Sequence, residues 1–97
     1  MKADNGAQIE RRRISFYGMV QGVGFRWQAQ RAADVAGVTG WVRNEYDGSV
    51  TMEIQGIPRK LDEVISALER GRFIHIDRLS SRTIAPDPNE RSFRVRY

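Results

Sequence analysis

Three glycines fall within the seven residues Gly18-Met19-Val20-Gln21-Gly22-Val23-Gly24, and no other segment limits the fold as much. A glycine offers no side chain to pack and costs about 0.5–1 kcal/mol inside a helix or strand, so both kinds of element must stop here. Before the run, Ile14 and Phe16 alternate with Arg13, Ser15 and Tyr17. That two-residue period predicts a strand over 12–19 with one face on a core. After the run, Phe25, Ala29, Ala32, Ala33 and Ala36 recur at three- and four-residue spacing up to Gly37. The spacing predicts an amphipathic helix over 25–36, closed by a left-handed glycine cap. The chain therefore passes from strand to helix through a glycine-rich loop.

The same logic places the remaining elements. Strands are expected over 38–44 and 49–55, joined by Asn44-Glu45-Tyr46-Asp47-Gly48, whose Asp-Gly pair signals a tight antiparallel reversal. Leu61, Val64, Ile65 and Leu68 mark a second helix over 58–70, with Pro58 tolerated in its first turn. A fourth strand follows over 73–83, with a bulge expected at Asp77-Arg78, and Phe93 with Val95 marks a short strand after it. This βαββαβ order with one strand appended predicts an α+β, ferredoxin-like sandwich: an antiparallel sheet carrying both helices on one face. Residues 1–8 are polar and aperiodic and read as a flexible N-terminal tail, leaving 9–97 as the domain.

At 97 residues with no cysteine and the single histidine His75, the chain has room for one core. It has no means to form a disulfide, a thiolate nucleophile or a histidine-rich metal centre. No apolar run approaches the roughly 20 residues that span a bilayer, and the first residues lack the apolar centre of a secretory leader. A cytoplasmic monomer without membrane or nucleic-acid partners is expected. The formal net charge is +4, and of the 16 basic residues only Lys2 and Lys60 are lysine. Arginine grips phosphates and carboxylates with a two-pronged fork. Composition alone leaves a solvated basic surface and a phosphate-binding site equally open.

The chemistry lies in Gly18 to Arg26. Exposed amides at a helix N-terminus, with the favourable helix dipole, converge on an anion, and glycines let the backbone curl around it. Arg26, just inside the helix, can add a guanidinium to the same oxygens. Such a turn is often no more than a tight connection, and Asn44, judged alone, is an ordinary turn residue.

Together, Val20-Gln21-Gly22-Val23-Gly24-Phe25-Arg26, the alanine-bearing helix, Gly40-Trp41-Val42-Arg43-Asn44 and Asp47-Gly48 resemble the acylphosphatase family, small enzymes that hydrolyse carboxyl phosphates. The resemblance runs from the first strand through Gly56 and agrees with the order of elements. It implies a phosphate cradle of Gln21, Gly22, Val23, Gly24 and Phe25 completed by Arg26. It implies that Asn44 positions the attacking water, that the substrate is a small acyl phosphate, and that no metal or cofactor takes part. The chain departs from the family at Gly71-Arg72-Phe73, where Gly-Pro is common, and in the run carrying His75 and Asp77.

Other side chains read as structural. His75, between Ile74 and Ile76, is expected to be structural or solvated, and Trp27 and Trp41 to pack against helix and sheet edge. Arg11-Arg12-Arg13 reads as a solvated strand start, Asp47 as a turn former and Tyr46 as a loop aromatic. Two alternatives remain: a ferredoxin-like RNA-binding module and a phosphate-binding module without turnover. The first needs exposed aromatics on the central strands, and the third strand, Ser49 to Gln55, has none.

Overall fold

The computed structural model describes residues 1–3 and 6–97. The elements are β1 (Glu10–Met19), α1 (Phe25–Ala36), β2 (Thr39–Asn44), β3 (Val50–Gly56), α2 (Pro58–Glu69), β4 (His75–Ile84) and β5 (Phe93–Arg96). Ahead of β1, Lys2 and Gln8 form an isolated antiparallel bridge. The expectation of a flexible tail over 1–8 includes residues 4 and 5, which lie outside the described residues.

The alternation in β1 sends Ile14 and Phe16 into the core, where both are fully buried beside Val42, Met52 and Ile54 from the neighbouring strands. Both helices cover this face. α1 buries Phe25, Ala29, Ala33 and Ala36, and its alanine stripe lets the backbone approach closely. α2 buries Leu61, Val64 and Leu68. Gly37, at φ 74°, caps α1, and the Val38 N–H donates to Ala33 O at 3.0 Å, the left-handed ending expected from the sequence.

The sheet order is β4-β1-β3-β2-β5. β1 pairs antiparallel with β3 and β4, and β2 antiparallel with β3. The pairing shifts at Tyr17/Gly18: Tyr17 faces Arg78 and Gly18 faces Ile76. Asp77 is thus the extra residue of a bulge, at the position anticipated.

One expectation is corrected. The sheet is mixed, not purely antiparallel, because β5 pairs parallel with β2, Gly40 opposite Phe93 and Val42 opposite Val95. β4 runs antiparallel to β1 and ends beside Arg11, at the end of the sheet where β2 begins. The segment 85–92 crosses beneath the intervening strands, a span of about 19 Å at 4.8 Å per strand. Emerging there without a reversal, β5 can only run the same way as β2.

Arg11 fastens this crossing, which corrects the view of Arg11-Arg12-Arg13 as a solvated run. Arg11 is 4% exposed. Its guanidinium donates to Glu90 Oε1 at 2.8 Å, Glu90 Oε2 at 3.1 Å and Glu53 Oε1 at 3.0 Å. Burial alone would lower the Arg11 pKa, but its bonds to Glu90 and Glu53 outweigh that and raise it. Gln55 completes the tie, accepting from the Asp87 N–H at 2.7 Å and donating to Asp87 O at 2.9 Å.

Candidate active site

Val20 and Phe25 anchor the two ends of the glycine loop. Val20 is fully buried, and the Phe25 ring lies 5.0 Å from the Phe16 ring, centroid to centroid. With both ends pinned inward, the backbone between them must bow toward solvent. Gly22 at φ 71° and Gly24 at φ 79° supply that curve, a conformation that costs a residue bearing a side chain about 1–2 kcal/mol. No backbone N–H from Gln21 to Gly24 donates to a protein acceptor among the described residues. The first-turn amides of α1 are likewise free by helix geometry. The outcome is a row of open donors at the positive end of a helix.

Gln21 ties this loop to the β2–β3 turn. Its side-chain amide donates to Glu45 O and to Ser49 O, each at 2.8 Å. The turn is itself braced. Asp47 accepts from the Ser49 hydroxyl and from its N–H, and both bonds hold the Asp47 carboxyl below the ordinary range. Thr51 Oγ1 donates to Glu45 Oε2 at 2.6 Å and Arg43 Nη2 reaches the same oxygen at 3.2 Å. These contacts, the Thr51 bond foremost, lower the Glu45 pKa. Asn44, at the end of β2, is thereby held beside the loop.

Gly22, Gly24, Phe25, Arg26 and Asn44 line one cavity of about 300 Å³. Of the anticipated cradle, Gln21 and Val23 do not line it. Gln21 braces the turn, and Val23 packs on the core. Phe25 begins α1 and buries its ring, so its backbone N–H is what it offers the site. Arg26 has no carboxylate partner among the described residues, and its guanidinium carbon lies 5.0 Å from the centre of the Tyr97 ring. Asn44 Oδ1 is the one buried side-chain polar atom without a hydrogen bond among the described residues. An unpaired buried amide oxygen costs about 1–3 kcal/mol.

Trp27, Gln30, Val95 and Tyr97 also line the cavity and were not singled out in the sequence. Arg26, Trp27 and Gln30 share a face of α1 by helical spacing, which was legible. Val95 and Tyr97 depend on β5 lying beside β2, which was not. The two tryptophans divide. Trp27 is 64% exposed, against the expectation that it packs, whereas Trp41 is buried. Trp41 lies on the sheet face away from the helices, beneath the guanidinium groups of Arg96, Arg43 and Arg13 at 4.5, 5.1 and 5.5 Å. His75 is exposed and lies 3.3 Å from Asp77. β3 presents Thr51, Glu53 and Gln55 on the helix-free face, with no ring on which a base could stack. Among the described residues no three His, Cys, Asp or Glu side chains come together, and no helix is long and apolar enough to cross a membrane.

The fold and the loop together define a class: ferredoxin-like α+β proteins with an anion-binding turn between the first strand and the first helix. Comparison with known proteins narrows it. The acylphosphatase family profile matches residues 12–95, and the chain belongs to that family. It is 38% identical over 87 residues to an acylphosphatase of Oceanobacillus iheyensis, covering 88% of this chain and 96% of that one. It is 41% identical over 87 residues to one of Koribacter versatilis, covering 89% and 79%. The crystal structure of acylphosphatase from Bacillus subtilis superposes with a TM-score of 0.85 at 31% identity, covering 93% of this chain and 100% of that one.

Proposed function

We propose that this chain is an acylphosphatase that cleaves acyl phosphates to a carboxylate and inorganic phosphate. The loop amides and Arg26 bind the phosphoryl group, and Asn44 aims the attacking water. The observation that carries this reading is the convergence on one cavity of open loop amides, a guanidinium with no carboxylate partner among the described residues and the orphaned Asn44 Oδ1.

The chemistry asks for little more. The attacking water forms a new P–O bond as the bond from phosphorus to the acyl oxygen breaks. The carboxylate leaves with the bonding pair, and a proton of the water passes to a phosphoryl oxygen. A carboxylate whose conjugate acid has a pKa of about 4–5 leaves without a general acid. The loose transition state of phosphoryl transfer is helped chiefly by positioning and by charge stabilisation. Amides and Arg26 supply the charge stabilisation. Asn44 Oδ1 accepts a hydrogen bond from the water and fixes its line of approach.

In this reading residues 9–97 form a catalytic unit that works as a cytoplasmic monomer, without a metal or a nucleic-acid partner. Every group assigned a role comes from one chain. The test is hydrolysis of benzoyl and acetyl phosphate by the purified protein in excess chelator, with a simple phosphate monoester as control. Turnover of both acyl phosphates is expected, and the ester, whose leaving oxygen is far more basic, is expected to remain nearly untouched. Phosphate binding without turnover would instead identify a non-catalytic phosphate-binding module.

A further inference from the structure

A phosphoryl group held by the loop and Arg26 occupies one end of the cavity. The rest of the wall is Trp27, Gln30, Val95 and Tyr97, three of them apolar or aromatic. The Tyr97 ring covers one side of the Arg26 guanidinium and is otherwise fully exposed, while Trp27 is 64% exposed. Two large rings thus flank the mouth of the anion site, Trp27 beneath the Arg31 guanidinium at 5.5 Å and Tyr97 beneath that of Arg26 at 5.0 Å, and both keep open area that the apolar part of a ligand would bury.

We propose that Trp27 and Tyr97 form the acyl-group subsite and select flat, apolar acyl phosphates, such as aroyl phosphates, over small ones. The proposal rests on the acylphosphatase reading above and adds what the substrate's other end must be. Trp27 follows Arg26 directly on α1, Val95 packs against the core from β5, and Tyr97 comes directly after that strand. An acyl group leaving the phosphate loop is therefore flanked by helix on one side and strand on the other. A phenyl ring offers an apolar face that both rings can cover, and an acetyl methyl offers far less.

Benzoate and acetate are leaving groups of nearly equal basicity, so the benzoyl-to-acetyl ratio of kcat/KM reports on acyl contacts more than on bond breaking. Trp27→Ala and Tyr97→Ala are each expected to lower that ratio about five- to tenfold, the size of a lost ring–ring contact. The change is expected mainly in KM for benzoyl phosphate, because the rings touch ground and transition states alike. Trp27→Phe and Tyr97→Phe, which keep a ring, are expected to hold the ratio within about twofold of the parent. Tyr97→Ala also frees the Arg26 guanidinium and is expected to slow both substrates, so Trp27→Ala is the cleaner arm. A merely structural role would depress both substrates equally. If the parent protein turns over both phosphates and neither alanine variant moves the ratio beyond twofold, the subsite is wrong and the acylphosphatase reading stands. If the parent turns over neither, both fall.

Discussion

Among the described residues Arg26 has no carboxylate partner, and it stands at the edge of a cavity with its charge open to an anion. Removing a charged partner of a bound phosphate costs about 2–5 kcal/mol. Arg26→Ala is accordingly expected to lower kcat/KM for benzoyl phosphate by about 30-fold or more, measured by the loss of ultraviolet absorbance. Arg26→Lys keeps the charge but loses the fork, and is expected to recover only part of that loss. Asn44 carries a different signature. Loss of one hydrogen bond made to the reacting groups costs about 10²–10³ in kcat, so Asn44→Ala is expected to turn over that much more slowly while inorganic phosphate inhibits it nearly as well as the parent. The variant also removes the orphaned Oδ1, so its Tm is expected not to fall. A drop in Tm matching the drop in activity would show that Asn44 serves the fold instead.

At the scale of elements, the glycine loop and the β2–β3 turn work as a pair joined by Gln21. A Cβ added at Gly24 meets nothing closer than Gln28 Nε2 at 3.8 Å, so Gly24→Ala costs only the backbone strain of φ 79°, about 1–2 kcal/mol. That strain is relieved by straightening the loop, and the variant is expected to bind phosphate more weakly, as titration calorimetry would show. The turn brings a pH dependence. The Glu45 and Asp47 carboxyls titrate below their ordinary values in the folded chain. Their stabilisation is therefore complete above the unfolded pKa, about 4, and is lost as the pH falls through the lower folded values. Thr51→Val removes the largest cause of the Glu45 shift. It is expected to lower Tm at neutral pH and to leave a smaller further loss on acidification than the parent shows, by thermal melts between pH 2.5 and 7.

These elements were largely legible. α1 starts and stops where the alanine stripe and Gly37 place it, because its period is strong and its cap chemistry unambiguous. The bulge at Asp77 was legible too. The parallel pairing of β5 was not, since a two-residue period states which face is buried and nothing about which strand lies alongside. Arg11 was misread for a related reason. A run of three arginines looks solvated, yet strand alternation sends Arg11 and Arg13 to the opposite side from Arg12, and the Glu90 that claims Arg11 arrives from far along the chain. In the candidate site, the loop and Arg26 were legible from a local motif and Asn44 only through the family resemblance, whereas Val95 and Tyr97 required the topology.

Across the whole molecule, the crossing 85–92 hangs on Arg11. Breaking a buried ion pair by deleting one partner costs about 3–5 kcal/mol, and Arg11→Ala also strips a donor from Gln55 and Glu53. A fall in Tm of more than about 10 °C is expected for a domain of this size, with kcat little changed in molecules that remain folded at 25 °C. Differential scanning calorimetry beside an activity assay would separate the two effects. The parallel strand that this crossing delivers has a further result. The groups assigned to hold phosphate and water are all present by Asn44, but the room they open onto gains its far wall only when β5 slots in against β2. A chain cut short before Phe93 would keep the entire cradle and have nowhere to seat the rest of the substrate.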